Sequence, residues 1–206
     1  MPHPTTPRRR KMIVAAAATL AAALVLAGCA TSSPEPESTS IGSQAVDTDF
    51  LADHDLDGLD ATQVIERLDT MPVADRPADL IASVQPGALV LSDDQNRETQ
   101  LPMPEDEVYI SIAPYRDQTH DCYFHSLTTC LGELASEEVQ VTLTGANGEV
   151  IIDEARQTYD NGFIGLWVPR DTEVTLTIAH EGQEANARIS TMNDDDPTCI
   201  TTMRLQ

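Results

Sequence analysis

From residue 106 onward, apolar residues recur with a period of two, and this alternation constrains the fold more than any other feature of the chain. Val108-Tyr109-Ile110-Ser111-Ile112, Val139-Gln140-Val141-Thr142-Leu143, Val150-Ile151-Ile152 and Glu173-Val174-Thr175-Leu176-Thr177-Ile178 are short runs rich in β-branched residues. Runs of this kind read as strands. Gly145-Ala146-Asn147-Gly148 and Glu181-Gly182, the latter before Ala185–Ile189, are hairpin signals. Phe163-Ile164-Gly165-Leu166-Trp167-Val168 is more continuously apolar and reads as a central strand, and Ile200–Leu205 closes the chain. Short strands at this spacing predict an antiparallel sandwich or partial barrel.

Upstream the pattern is helical, from Phe50 to about Ser92. Asp60 is placed to cap a helix over Ala61–Asp69, with Gln63 three residues on as in a capping box. Val64, Ile65 and Leu68 supply its apolar face and Pro72 ends it. Pro77–Ala82 predicts a second short helix before Pro86-Gly87. Asp53-His54-Asp55-Leu56-Asp57-Gly58 begins like a calcium-binding loop, but its twelfth position is Val64, where such a loop needs a bidentate Glu. It therefore reads as a solvated acidic lead into the helix. The expected fold class is α+β and mainly β: a small helical N-terminal region over 50–105, then an antiparallel β-sandwich-like domain over 106–206.

The N-terminus carries an export signal. Arg8, Arg9, Arg10 and Lys11 form a basic cluster, Met12–Leu26 is apolar, and Leu26-Ala27-Gly28-Cys29 follows. The apolar run is too short to span a bilayer as a helix and fits a cleaved secretory signal. The Leu-Ala-Gly-Cys ending reads as a lipobox. Residues 1–28 are then a lipoprotein signal peptide and Cys29 a lipidated N-terminus. Residues 29–49, rich in Ser, Thr, Pro and Glu, read as a flexible tether. This places the protein outside the cytoplasm, lipid-anchored to the bacterial cell membrane. Whether export is Sec- or Tat-dependent is left open. Cleavage leaves 8 basic against 34 acidic residues, a net charge of −26 that disfavours nucleic acid and anionic lipid surfaces. No lysine follows Lys11, which excludes Schiff-base and lysine-base chemistry.

Three thiols remain beyond the lipid site: Cys122, Cys130 and Cys199. An odd number in an exported protein leaves one thiol to be explained. Two readings stand side by side, a Cys122–Cys130 disulfide with a spare thiol, or a three-thiolate metal site. Three thiolates suit a soft ion of low coordination number such as Cu(I). Zinc prefers four ligands, for which His120 or His125 is at hand. Met192 and Met203, near Cys199, read as packing residues.

The stretch Cys122-x-Phe124-His125-Ser126-Leu127-Thr128-Thr129-Cys130-x-Gly132-Glu133-Leu134 closely resembles the signature of the CueP family of periplasmic copper-binding proteins. The resemblance continues in Gly162-Phe163-x-Gly165-Leu166-Trp167-x-Pro169-Arg170-Asp171 and in Thr198-Cys199-x-Thr201-Thr202. It implies copper ligation by Cys122, Cys130 and Cys199. His125, which sits between two of the cysteines, reads as a supporting donor, a transient Cu(II) ligand or simply a satisfied histidine. The resemblance also implies a β-rich copper domain, a tendency to dimerise, and a role in copper resistance, storage or delivery that extends to reducing Cu(II) to Cu(I). A copper-accepting enzyme and a thiol reductant are the implied partners. The rival readings are a thiol–disulfide partner protein and a lipid-anchored interaction module with a structural disulfide.

Overall fold

Two helices precede the first strand, and each start is fixed by an aspartate. In the computed structural model, which describes residues 46–206, Asp47 accepts from the amides of Asp49 and Phe50 to open α1, Thr48–Asp53. The signal peptide, residues 29–45 of the tether and Cys29 lie outside the described residues. α1 thus begins inside the stretch expected as tether. α2, Ala61–Asp69, has the expected capping box: the Gln63 amide donates to Asp60 at 2.9 Å and the Asp60 amide to Gln63 Oε1 at 3.1 Å. Both orphan donors at the helix start are satisfied at once. Val64, Ile65 and Leu68 are buried as expected, and so is Asp69 at the last position.

The predicted second helix is instead a strand. After a 3₁₀ turn at Val73–Asp75, β1 (Leu80–Val84), β2 (Ala88–Asp93) and β3 (Glu98–Pro102) pair antiparallel. Leu80, Ala82 and Val84 are buried while Ile81 is exposed, a period of two that six residues bracketed by prolines did not announce. Leu89 and Leu91 repeat that alternation, and Pro86-Gly87 turns the hairpin between β1 and β2.

The strands read from the alternating pattern are present. They are β4 (Glu107–Ile112), β6 (Glu138–Gly145), β7 (Val150–Gln157), β8 (Ile164–Pro169), β9 (Glu173–His180) and β10 (Gln183–Ser190). Two short additions, β5 (His125–Ser126) and β11 (Cys199–Ile200), carry the site. The closing run Ile200–Leu205 forms only the end of β11, which pairs parallel to β4, and an isolated bridge from Arg204 to Tyr115. The sheets have the orders β3-β2-β1-β5, β10-β9-β6-β7 and β11-β4-β8. The architecture is mainly antiparallel β with a small helical part, as the sequence implies.

β4 and β8 are covered on both faces. Val108, Ile110 and Ile112 with Leu166 and Val168 join the core lined by β6 and β9. Tyr109, from the opposite face of β4, joins the core under α1, α2 and β1–β3, with Trp167 packed against it. Met203 is fully buried in the first core, as expected, whereas Met192 is exposed and does not pack. The central layer carries a steric demand. Gly165 lies opposite Ser111 in the β4–β8 register, and a Cβ there would collide with the Tyr109 phenol.

Gly162 and Gly132 make a second close approach. The Gly132 amide donates to Asn161 O at 2.6 Å, and a Cβ on Gly162 would lie 2.6 Å from the Gly132 carbonyl. Gly162 also has φ +78°, a conformation that disfavours any side chain. This contact ties the loop after Cys130 to the turn before β8. Gly162→Ala is expected to cost about 3 kcal/mol of stability, as overpacking against rigid backbone does. Urea unfolding reads the loss as a lower midpoint at unchanged slope.

Candidate metal centre

The three cysteines converge because three short segments are hydrogen-bonded to one another. β5 pairs with β1 at Val84↔His125, and beyond it the Cys130 amide closes a turn onto Ser126 O at 3.1 Å. The Thr198 and Cys199 amides both donate to Tyr123 O at 3.0 Å, which brings the start of β11 against the residue after Cys122. Thr198 is the rivet. Its buried hydroxyl donates to Val84 O at 2.6 Å and accepts from the His125 amide at 3.1 Å, linking β1, β5 and β11.

The ligand atoms of Cys122, His125, Cys130 and Cys199 all lie within 4.8 Å of one another. Ligands on a common ion with metal–sulfur bonds of about 2.3 Å are about 4 Å apart, so the four atoms are spaced as donors to one small soft cation. Cys199 is 3% exposed and His125 fully buried, while Cys122 and Cys130 are half-buried, so the cluster opens to solvent through those two cysteines.

Cys122 and Cys199 are joined by a disulfide, with Cα atoms 5.7 Å apart, and Cys130 is the free thiol. The expected Cys122–Cys130 pairing is corrected. Cys122 and Cys130 have the shortest connecting loop, but the intervening residues are held by β5 and its turn, while the Tyr123 carbonyl draws Cys199 alongside Cys122. Cys130 is nevertheless in contact, its Sγ 3.6 Å from Cys122 Sγ.

His125 is held from behind. Its Nε2 lies 3.4 Å from Asp69 Oδ1, its Nδ1 lies 3.7 Å from Cys199 Sγ, and Phe163 packs on the ring at a centroid distance of 4.4 Å. Asp69 accepts from Tyr109 Oη at 2.7 Å and from Asn161 Nδ2 at 2.8 Å. Burial alone would push the Asp69 carboxyl up, but the hydrogen bonds and charge of His125, with Tyr109 and Asn161, hold it below the usual range. Burial likewise opposes protonation of His125, and Asp69, with Cys130, outweighs it and raises the imidazole. The Cys130 thiol is raised by burial but lowered more strongly by His125, and settles at about 7.

Asp69, Tyr109, Asn161 and Thr198 were not singled out as site residues from the sequence. One signal existed for Asp69, which sits four residues after Ile65 on the apolar face of α2, where a charge has no solvent. His120 lies at the edge, with its ring 6.2 Å from that of Phe163. Arg76 donates to Cys130 O at 2.9 Å and brings positive charge to the thiol loop.

The family model for "Periplasmic copper-binding protein CueP" matches residues 63–204, a span that includes the whole cluster. The chain belongs to the CueP family. The structure entitled "Crystal Structure of S.CueP" is similar to this chain at 38% identity and a TM-score of 0.71, over 77% of this chain and 96% of that one. No curated protein sequence matches the chain significantly. The CueP family is one of periplasmic copper-binding proteins, so membership assigns copper binding outside the cytoplasm, and the Cys–His cluster is compatible with it.

The charge coupling within the cluster is measurable in metal-free protein. Cys130 is expected to alkylate at a rate that rises about tenfold per pH unit and levels off above about pH 7, because the thiolate is the nucleophile. Asp69→Asn weakens the protonated state of His125, so the same profile is expected to move up toward the ordinary thiol range. An unchanged midpoint in Asp69→Asn would disconnect Asp69 from the cysteines.

Proposed function

We propose that this CueP-family protein holds Cu(I) through the thiolates of Cys122, Cys130 and Cys199 with His125 beside them, on the outer face of a membrane to which a lipid on Cys29 anchors it. The observation that supports this most is the convergence of three sulfurs and one imidazole nitrogen, with no carboxylate among them. Soft donors of this kind favour Cu(I) over zinc, which remains the alternative cargo. Opening the Cys122–Cys199 bond is a condition of full ligation.

The same cluster is proposed to reduce Cu(II). Two thiols each give one electron to one of two Cu(II) ions, which become two Cu(I), and two protons leave as the disulfide forms. Cys122–Cys199 is the product of that step. Cys130 and His125 then remain as donors, so the oxidised site keeps copper on fewer ligands and hands it on more readily. Re-reduction requires a dithiol partner, delivery requires a copper acceptor, and a homodimer is the proposed assembly. The rival reading, an interaction module with a structural disulfide, draws on the same Cys122–Cys199 bond.

Anaerobic titration of reduced protein against a Cu(I)-specific chelator tests the binding claim. Cys122→Ser, Cys130→Ser and Cys199→Ser are each expected to weaken Cu(I) binding by about a hundredfold or more, and His120→Ala to matter far less. Equal affinity in the triple variant and wild type would remove this site and leave the structural reading. Adding Cu(II) to reduced protein is expected to give two Cu(I) per disulfide closed, with Cys122 in the crosslink found in peptide mapping. In its host the protein is expected in the membrane fraction with acyl mass on Cys29, and Cys29→Ala is expected to release it or block its processing.

A further inference from the structure

A disulfide touched by a third sulfur need not stay where it is. Cys130 Sγ lies 3.6 Å from Cys122 Sγ, in van der Waals contact, whereas a disulfide bond is about 2.05 Å. The shift falls on the loop residue that closes the turn after β5 rather than on a strand of either core. On the other side of the bond, Cys199 Sγ is 3.7 Å from His125 Nδ1. The attacking and central sulfurs are thus in contact, with a proton carrier beside the leaving sulfur; all three sulfurs lie within 4.8 Å of one another, so Cys130 must swing round Cys122 to attack in line with the Cys122–Cys199 bond.

From this geometry we propose that the oxidised site exchanges its disulfide internally, between Cys122–Cys199 and Cys122–Cys130. The Cys130 thiolate attacks Cys122 Sγ and forms the new S–S bond. The Cys122–Cys199 bond breaks, and its electron pair leaves on Cys199 Sγ. The proton given up by Cys130 passes to His125 and is supplied from Nδ1 to Cys199. Nothing is oxidised or reduced overall, and no co-reactant is needed.

The two isomers differ in what they present to solvent. In the isomer seen here the free thiol is the half-buried Cys130 and one half of the disulfide, Cys199, is 3% exposed. After exchange both bonded sulfurs belong to half-buried residues, and the free thiol is enclosed beside His125. Tyr123 and Leu131, exposed neighbours of Cys122 and Cys130, flank that second disulfide. The exchange thus carries the oxidising equivalent from an enclosed position to one an external dithiol reaches. The inference rests on sulfur contacts alone and does not depend on copper ligation.

The experiment uses metal-free wild-type protein oxidised to one disulfide. It is held at neutral pH, quenched in acid to protonate thiolates, labelled with an acid-active thiol reagent and mapped after pepsin digestion. Both Cys122–Cys199 and Cys122–Cys130 peptides are expected, with the label on Cys130 and Cys199 respectively. A chase with a thiol alkylating agent on the native protein is then expected to drain the second isomer into Cys130-labelled Cys122–Cys199. Finding only Cys122–Cys199 after prolonged incubation would overturn the exchange, as would a second isomer that persists through the chase. A Cys130–Cys199 crosslink would overturn the assignment of Cys122 as the shared sulfur. Loss of Cu(I) binding in a separate titration would sink the copper reading and leave this result standing.

Discussion

The buried pair of Asp69 and His125 is the constraint around which the rest is arranged. A carboxylate at the last position of a helix faces the negative end of the helix dipole, and at zero exposure it has no water to stabilise it. It stands there because Tyr109, Asn161 and His125 converge on its two oxygens. Those three partners come from β4, from the turn before β8 and from β5. Removing one member of such a pair leaves a buried charge uncompensated, which costs about 3–5 kcal/mol. The helical part and the sheets are thus locked together at one charged point, and the Cys–His cluster is built on its far side.

That arrangement also fixes which way the imidazole works. With Nε2–H directed at Asp69, the other nitrogen faces the sulfurs. While protonated, His125 lowers the neighbouring thiol. After losing the Nδ1 proton it offers a lone pair to the same cluster without turning the ring. Phe163 against one face of the ring and the Thr198 hydroxyl on the His125 amide leave it little freedom to do otherwise. Gly165 belongs to the same device, since only a residue without a Cβ lets the Tyr109 phenol reach Asp69 across the strand pair.

What the sequence revealed depended on whether the signal was local. The α2 cap, the β4 and β6–β10 strands and the hairpin turns are written in neighbouring residues, and all are present. The cluster was legible as a set because Cys122, His125 and Cys130 lie within nine positions and the family motif includes Cys199, and the fold brings the four together. β1 was misread because the eight residues between Pro77 and Pro86 satisfy helical and strand periods almost equally, and the partner strand decides between them. The cysteine pairing was misread for a related reason. Loop length ranks pairs by chain entropy, whereas the observed partner is chosen by two amides of residues 198 and 199 binding a carbonyl at residue 123. Asp69 carried a visible clue, a charge on an apolar stripe, but its partners are 40 to 92 residues away.

The choice of Cys199 as disulfide partner bears on how such a site handles copper under the proposed function. In the Cys122–Cys130 isomer the sulfur left over is the enclosed one beside His125, and copper would stay on an inner pair. With Cys122–Cys199 closed, the remaining thiol is Cys130, half-exposed and next to the exposed Leu131. Oxidation would therefore remove Cys122 and the enclosed Cys199 together and leave Cys130 and His125. A site that loses two of its sulfurs holds its ion less firmly, and it does so only when electrons have left the sulfurs. Binding and release are then set by the oxidation state of one S–S bond, with the Asp69–His125 pair holding the imidazole in place through both states.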